Sequence, residues 1–210
     1  MKNVTDRTTN PFGLRAPFDR TAPSERAAVY GHGDANADFH VIGDHPGVHG
    51  GKRTGVPFTE TDAGVGIQEI LREVGFVRGP TDEPIIENCF LSYIHLCCLP
   101  NGHEPTREEY DTLERFFDAE LRAINAHILI SVGEQATDHV LREYTTQRHR
   151  VDLNMANLHG EEIRGRGFLV VPVACPTTWD DDDRETILET LESILGRDYR
   201  QTKGVATLVG

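Results

Sequence analysis

Residues 38–47 read DFHVIGDHPG, an apolar run from Phe39 to Ile42 that breaks into a turn of Gly, Asp, His and Pro. A run of this length bounded by turn residues marks a buried strand. Residues 88–96, 127–133 and 168–174 repeat the pattern, each rich in Val, Ile, Leu or Phe. Helical periodicity fills the gaps between them. Residues 66–74 (GIQEILREV) place Ile67, Ile70, Leu71 and Val74 on one face. Thr106-Arg107-Glu108-Glu109 is a capping box opening a helix through Tyr110, Leu113, Phe117 and Leu121. Residues 134–144 and 184–195 show the same period. Strands alternating with helices predict an α/β fold, a three-layer α/β/α sandwich on a central, mainly parallel four-stranded sheet.

Working outward, 210 residues suffice for one well-buried core. The periodic segments place that domain at residues 38–197. Residues 1–37 hold Pro11, Pro17 and Pro23 without sustained periodicity and predict an irregular N-terminal extension. Residues 198–210 predict a C-terminal tail.

Composition narrows the setting. Thirty-four acidic residues against 21 basic ones give a net charge of −13, and only Lys2, Lys52 and Lys203 are lysines. An acid-rich, lysine-poor surface fits a cytosol of molar salt, as in a haloarchaeon, where repulsion between surface charges is screened. It argues against non-specific duplex binding by the whole surface, though a local basic groove remains compatible. No apolar run reaches the ~18 residues of a membrane span, and residues 1–20 lack a signal-peptide core. Cys89, Cys97, Cys98 and Cys175 form no C-x-x-C pair and no secreted disulfide framework. A cytoplasmic protein that meets no membrane, and a monomer, is expected.

In such sheets ligands bind where loops leave the carboxyl ends of the strands. Those loops are residues 43–47, 95–102, 133–135 and 175–179. Gly43 and Gly47 permit tight turns whose N–H groups point into a crevice. Asp44 adds a carboxylate and Phe58 a flat apolar surface, a set suited to holding a flipped base and hydrolysing its sugar bond. Other clusters have blander readings. His45 and His49 are four apart, but Pro46-Gly47 breaks any helix between them and zinc would need two more ligands, so no metal is expected. Cys97 and Cys98 read as packing residues rather than nucleophiles. Gly133-Glu134-Gln135 is an anion site or a plain turn. Arg142, Arg148, His149 and Arg150 contact phosphates or simply face solvent.

The loop GDHPG with GVPF shortly after it resembles the first motif of the uracil-DNA glycosylase superfamily, a G-x-x-P-G turn followed by G-x-P-F. Residues 90–106 resemble the family's second strand and following loop, and residues 126–141 its third strand and helix. The resemblance spans roughly residues 38–180 and looks closest to the family 4 type. It implies a DNA base-excision enzyme acting on a deaminated base, uracil foremost, in single- or double-stranded DNA. The catalytic polar group falls at Asp44 or His45, the base-stacking ring at Phe58, and Gly43, Pro46 and Gly47 shape the pocket. The turn after the fourth strand maps to Cys175-Pro176-Thr177, with Cys175 where the family has a His donor, and Tyr93 stands where the iron–sulfur branch reads the base edge with Asn. A thiol is a poor donor, and one phenol cannot make a two-point amide contact. Only Cys97 matches a cluster ligand of that branch, so no iron–sulfur cluster and no other cofactor is expected. Beyond the turn, Trp179 reads as a wedge into DNA, and Asp182 and Asp183 as an N-terminal helix cap. These departures leave two alternatives open: a weak or inactive relative that binds nucleic acid or a partner, and a hydrolase of another N-glycoside.

Overall fold

The computed structural model describes residues 8–18, 26–100, 102–124, 126–197 and 199. In chain order the elements are β1 (Thr8–Thr9), β2 (His32–Gly33), β3 (Phe39–Gly43), α1 (Pro46–His49), α2 (Asp62–Glu73), β4 (Val77–Arg78), β5 (Ile85–Ile86) and β6 (Cys89–Tyr93). Then follow α3 (Arg107–Ile124), β7 (Ile128–Val132), α4 (Glu134–Tyr144), α5 (Met155–Leu158), β8 (Ile163–Gly165), β9 (Phe168–Val173), a 3-10 turn at Pro176–Thr178, and α6 (Asp181–Gly196). Most of the C-terminal stretch 198–210 and parts of 1–37 lie outside the described residues.

The four apolar runs form the middle of the sheet, in the order β6-β3-β7-β9, all parallel. Three short antiparallel strands extend it, β2 and β1 beyond β6 and β8 beyond β9. Two residues of strand are too few to produce an alternation, which is why β1 and β2 leave no trace in the sequence pattern. Among the described residues no helix is long and apolar enough to cross a membrane.

β3 runs between two parallel partners and is buried along its whole length. Its residues alternate between faces. Phe39 and Val41 pack with Ile67, Ile70 and Leu71 of α2 and Ile187 and Leu191 of α6. Ile42 packs with Phe117 and Leu121 of α3 and Val140 and Leu141 of α4. Helices therefore cover both faces, giving the expected three layers.

Two helices begin earlier than their apolar period suggests. α2 is capped by Thr61, whose side chain accepts from the Gly64 N–H, so its first turn carries little apolar signal. Gly64 is required there: a Cβ would lie 2.6 Å from the His49 carbonyl oxygen and 2.7 Å from the backbone of Phe58. α6 is capped by Asp180, not by Asp182, in a reciprocal box with Asp183. The cap accepts from the third helical residue, and Asp180 stands at that offset from Asp183. The box opening α3 is present, with the Thr106 N–H donating to Glu109 Oε2 at 2.8 Å and the Glu109 N–H to Thr106 Oγ1 at 3.3 Å.

Beneath α3 lies a buried polar group, Glu120, that the apolar pattern does not announce. Burial pushes its carboxyl up to about 8, against hydrogen bonds with Ser92 and the Gly31 backbone. Ser92 also pairs with His40 Nε2 at 2.7 Å, and burial drives His40 down to about 3, so this cluster is uncharged at neutral pH. The folded state holds the Glu120 proton while the unfolded chain releases it above the ordinary carboxyl range. The contribution of Glu120 to stability is therefore fullest below that range and is lost as pH rises toward 8. Glu120→Gln removes this slope, and denaturant midpoints from pH 5 to 8 are expected to decline less steeply than in the parent. Parallel curves would contradict the assignment.

Candidate active site

At the carboxyl end of β3 the alternation continues off the strand. Gly43 lies on the α2 side, and the next residue, Asp44, turns to α3. There it borders an open cleft of about 630 Å³ with Glu104, Tyr110, Gln135, His139 and Arg142 on its walls. The Tyr110 hydroxyl donates to Asp44 Oδ1 at 2.5 Å, a short bond of the kind made to a carboxylate. Burial raises the Asp44 carboxyl above its usual range, while the Tyr110 bond and nearby His45 pull it back down. Burial and the Asp44 charge push the Tyr110 hydroxyl upward, so the shared proton stays on the phenol. Asp44 thus has one carboxyl oxygen committed to Tyr110.

His45 is almost wholly buried, and both its ring nitrogens are engaged. Nδ1 accepts from the Gly47 N–H at 3.1 Å, which places the proton on Nε2, 3.0 Å from Glu104 Oε2. A ring so bonded orients the turn and leaves no nitrogen for a reacting water. His49 Nδ1 likewise accepts from the Asp44 N–H at 3.2 Å, and burial, reinforced by His45, takes this ring down to about 3.

These bonds correct one expectation. Four amides of the turn do not point into a crevice: those of Asp44 and Gly47 meet histidine rings, and those of Val48 and His49 donate to the His45 carbonyl at 3.1 Å. Pro46 carries no N–H. Short side-chain acceptors two to five residues away capture the backbone before a ligand can.

Phe58 and Tyr93 are placed on the α2 side, away from the Asp44 carboxylate. Phe58 is completely enclosed, with Tyr93 and His49 ring centroids at 5.3 and 5.4 Å. The Tyr93 hydroxyl accepts from the Phe58 N–H at 2.7 Å and lies 2.9 and 3.1 Å from the His49 and Gly50 carbonyl oxygens. It is committed to the loop it closes. Cys175, Pro176 and Thr177 form the turn beyond β9, where Pro176 packs on Gly66 of α2 and Cys175 Sγ sits 3.2 Å from Thr177 Oγ1. Trp179 does not project: its indole N–H donates to the Ala174 carbonyl at 2.9 Å, and His159 packs edge-on to it.

Of the basic residues, Arg142 pairs with Asp138 and Glu143, and Arg148 also pairs with Asp138, so neither presents an unopposed charge. Among the described residues, no group of three or more His, Cys, Asp or Glu is gathered as a metal would need. Cys97 packs with Ala28, Leu96 and Leu113, Cys98 belongs to the α2-side core, and Cys175 is on another loop. The thiols do not converge, and an iron–sulfur cluster does not fit them. Tyr110, Glu104 and His139 were missed as site residues. Tyr110 reads as one more apolar-face position of α3, and Glu104 as a residue before a helix cap, because nothing local distinguishes a side chain that meets a loop 66 residues away.

Residues 30–190 match the family model described as the uracil DNA glycosylase superfamily. The chain is similar to the type-5 uracil-DNA glycosylase of Pyrobaculum aerophilum, 27% identical over 169 residues, which cover 79% of this chain and 72% of that protein. The type-5 uracil-DNA glycosylase of Thermus thermophilus is 29% identical over 130 residues, 60% of this chain and 59% of its own. The type-4 uracil-DNA glycosylase of Thermotoga maritima is 31% identical over 136 residues, 65% of this chain and 63% of its own. The family match takes in all four parallel strands, the Asp44 turn and the turn after β9, and the chain belongs to the uracil DNA glycosylase superfamily.

Proposed function

We propose that this protein is a DNA N-glycosidase that hydrolyses the bond between a deaminated base, uracil foremost, and its sugar. The observation that carries the reading is Asp44: a largely buried carboxylate at the sheet's carboxyl edge, beside a cleft large enough for a nucleotide, in a chain of this family. The base is flipped out of the helix into the cleft. The Asp44 oxygen not held by Tyr110 orients or deprotonates water, or stabilises the oxocarbenium-like sugar, as carboxylates do in glycoside hydrolysis. Its ionised form is the working one. Tyr110 fixes the carboxylate's direction and keeps it charged in a site whose burial favours the neutral acid.

The cleft also carries Glu104, Asp111, Asp138 and Glu143 against Arg107 and Arg142. Carboxylates repel phosphates, and molar salt screens that repulsion within a few ångströms. The acid-rich, lysine-poor composition fits the same saline cytoplasm, and assays belong in molar potassium chloride.

A second reading, a relative that binds nucleic acid without excising a base, is favoured by the enclosure of Phe58. One experiment separates the two. Oligonucleotides bearing uracil, hypoxanthine or xanthine are incubated with the protein and treated with alkali. Strand scission is expected, and Asp44→Asn is expected to lower it by ~10²–10⁴-fold, the usual worth of a general base. Binding without scission on any base would favour the second reading.

The pH dependence tests Tyr110. Scission should rise with pH through the titration of Asp44, because the carboxylate is the active form. Tyr110→Phe removes a bond that holds the Asp44 carboxyl down, so the rising limb should move to higher pH. A lowered plateau with an unmoved limb would mean that Tyr110 only packs.

A further inference from the structure

We infer that His139, oriented by Glu114, is a second catalytic residue of the Asp44 cleft and takes the proton of the attacking water. The inference rests on the Asp44 reading and divides the work that reading gives to one carboxylate. α4 carries Gln135, Asp138, His139 and Arg142 at helical spacing, so one face of the helix lines the cleft that Asp44 and Tyr110 border. Asp138 and Arg142 are committed to ion pairs, and the Gln135 amide takes up no proton. His139 is left as the proton acceptor of that face. Its ring is buried and held on several sides. Nε2 lies 2.9 Å from Glu114 Oε2, off the ideal hydrogen-bond line. Phe117 packs edge-on at 5.6 Å between ring centroids, and Tyr144 at 6.1 Å.

Glu114 is the positioning residue. Its Oε1 accepts from the Tyr144 hydroxyl at 2.8 Å, and while burial acts to raise its carboxyl, His139 and Tyr144 hold it below the usual range. A carboxylate beside Nε2 places the ring proton there and leaves the lone pair on Nδ1. Nδ1 meets no protein group among the described residues, and the ring borders the cleft. A carboxylate behind one ring nitrogen, with the other turned to the reacting group, is the arrangement that activates nucleophiles in hydrolases. His139 also reaches Asp44: burial raises the Asp44 carboxyl, and a charge on His139 draws it back down. Asp44 has one oxygen left after the Tyr110 bond. Were that oxygen to take the water's proton, the charge that stabilises the sugar cation would be lost. A second base keeps Asp44 ionised through the step. The bond from the sugar carbon to the base nitrogen breaks, and its electron pair leaves with the base. The water oxygen bonds to the same carbon, its proton passes to His139 Nδ1, and the imidazolium so formed faces Glu114. The departed base takes its proton from solvent, and His139 returns its own there.

Wild type, His139→Ala, His139→Gln, Glu114→Gln and Asp44→Asn are assayed for scission of uracil-, hypoxanthine- and xanthine-bearing oligonucleotides in molar potassium chloride, with and without added imidazole. Thermal unfolding of each reports folding. His139→Ala is expected to lower scission by ~10²-fold or more, and imidazole, which fits the vacated ring space, to restore about tenfold or more of the loss in a saturable manner. His139→Gln keeps a polar side chain but accepts no proton, so it is expected to be as slow as His139→Ala. Glu114→Gln is expected to be slowed and to gain nothing from imidazole, since its ring is still in place. A merely structural role for His139 would give no recovery with imidazole. A folded His139→Ala that imidazole does not speed, or a His139→Gln as active as wild type, would overturn this inference alone if Asp44→Asn is slow. If His139→Ala does not fold, His139→Gln decides in the same sense. Absence of scission by wild type on every base would overturn the Asp44 reading and this inference together.

Discussion

β3 is hydrogen-bonded along both edges and covered on both faces, so its pleat leaves each side chain at the carboxyl end only two directions. That constraint sets out the rest of the site. Gly43, in register with Tyr93 of β6, opens toward α2, where Phe58 and Tyr93 pack. Asp44, one residue further, faces α3 and meets Tyr110. One step along the backbone thus separates the carboxylate from the aromatic pair and puts them on opposite sides of the same edge.

Electrostatics follows from the same placement. Asp44 is buried enough for its charge to be costly, and a single phenol compensates in part. The neighbouring histidines orient the turn, and His45 also draws the Asp44 carboxyl down. Each uses one ring nitrogen to collect a backbone N–H of the turn, and burial keeps His49 neutral. The turn is rigid because its donors are satisfied from within. For the same reason the N–H groups of Asp44, Gly47, Val48 and His49 are not on offer to an incoming carbonyl.

The four parallel strands, the capping box of α3 and the covering helices were legible because each depends on short-range pattern: apolar runs, a 3.6-residue period, a cap three residues from its partner. The short edge strands were not legible, since His32–Gly33 takes its structure from pairing with β6, and Thr8–Thr9 from pairing with His32–Gly33, rather than from their own residues. Among site residues, Asp44 stood out because its turn is recognisable in itself. Its partner Tyr110 did not, because a tyrosine on an amphipathic helix looks the same whether it packs or donates. Phe58 and Tyr93 were both singled out, but the sequence carried no sign that they would meet each other instead of a ligand.

By itself, then, the sequence determined the layer order, the loops that form the rim, and the family to which the chain belongs. These rest on periodicity and on turn chemistry, which act over a few residues. Only the tertiary structure decided which rim residues face one another. It paired Asp44 with Tyr110, bound the turn's amides to His45 and His49, and closed Phe58 under Tyr93. Those outcomes depend on the faces that strand register assigns and on contacts between residues tens of positions apart, and no local pattern encodes either.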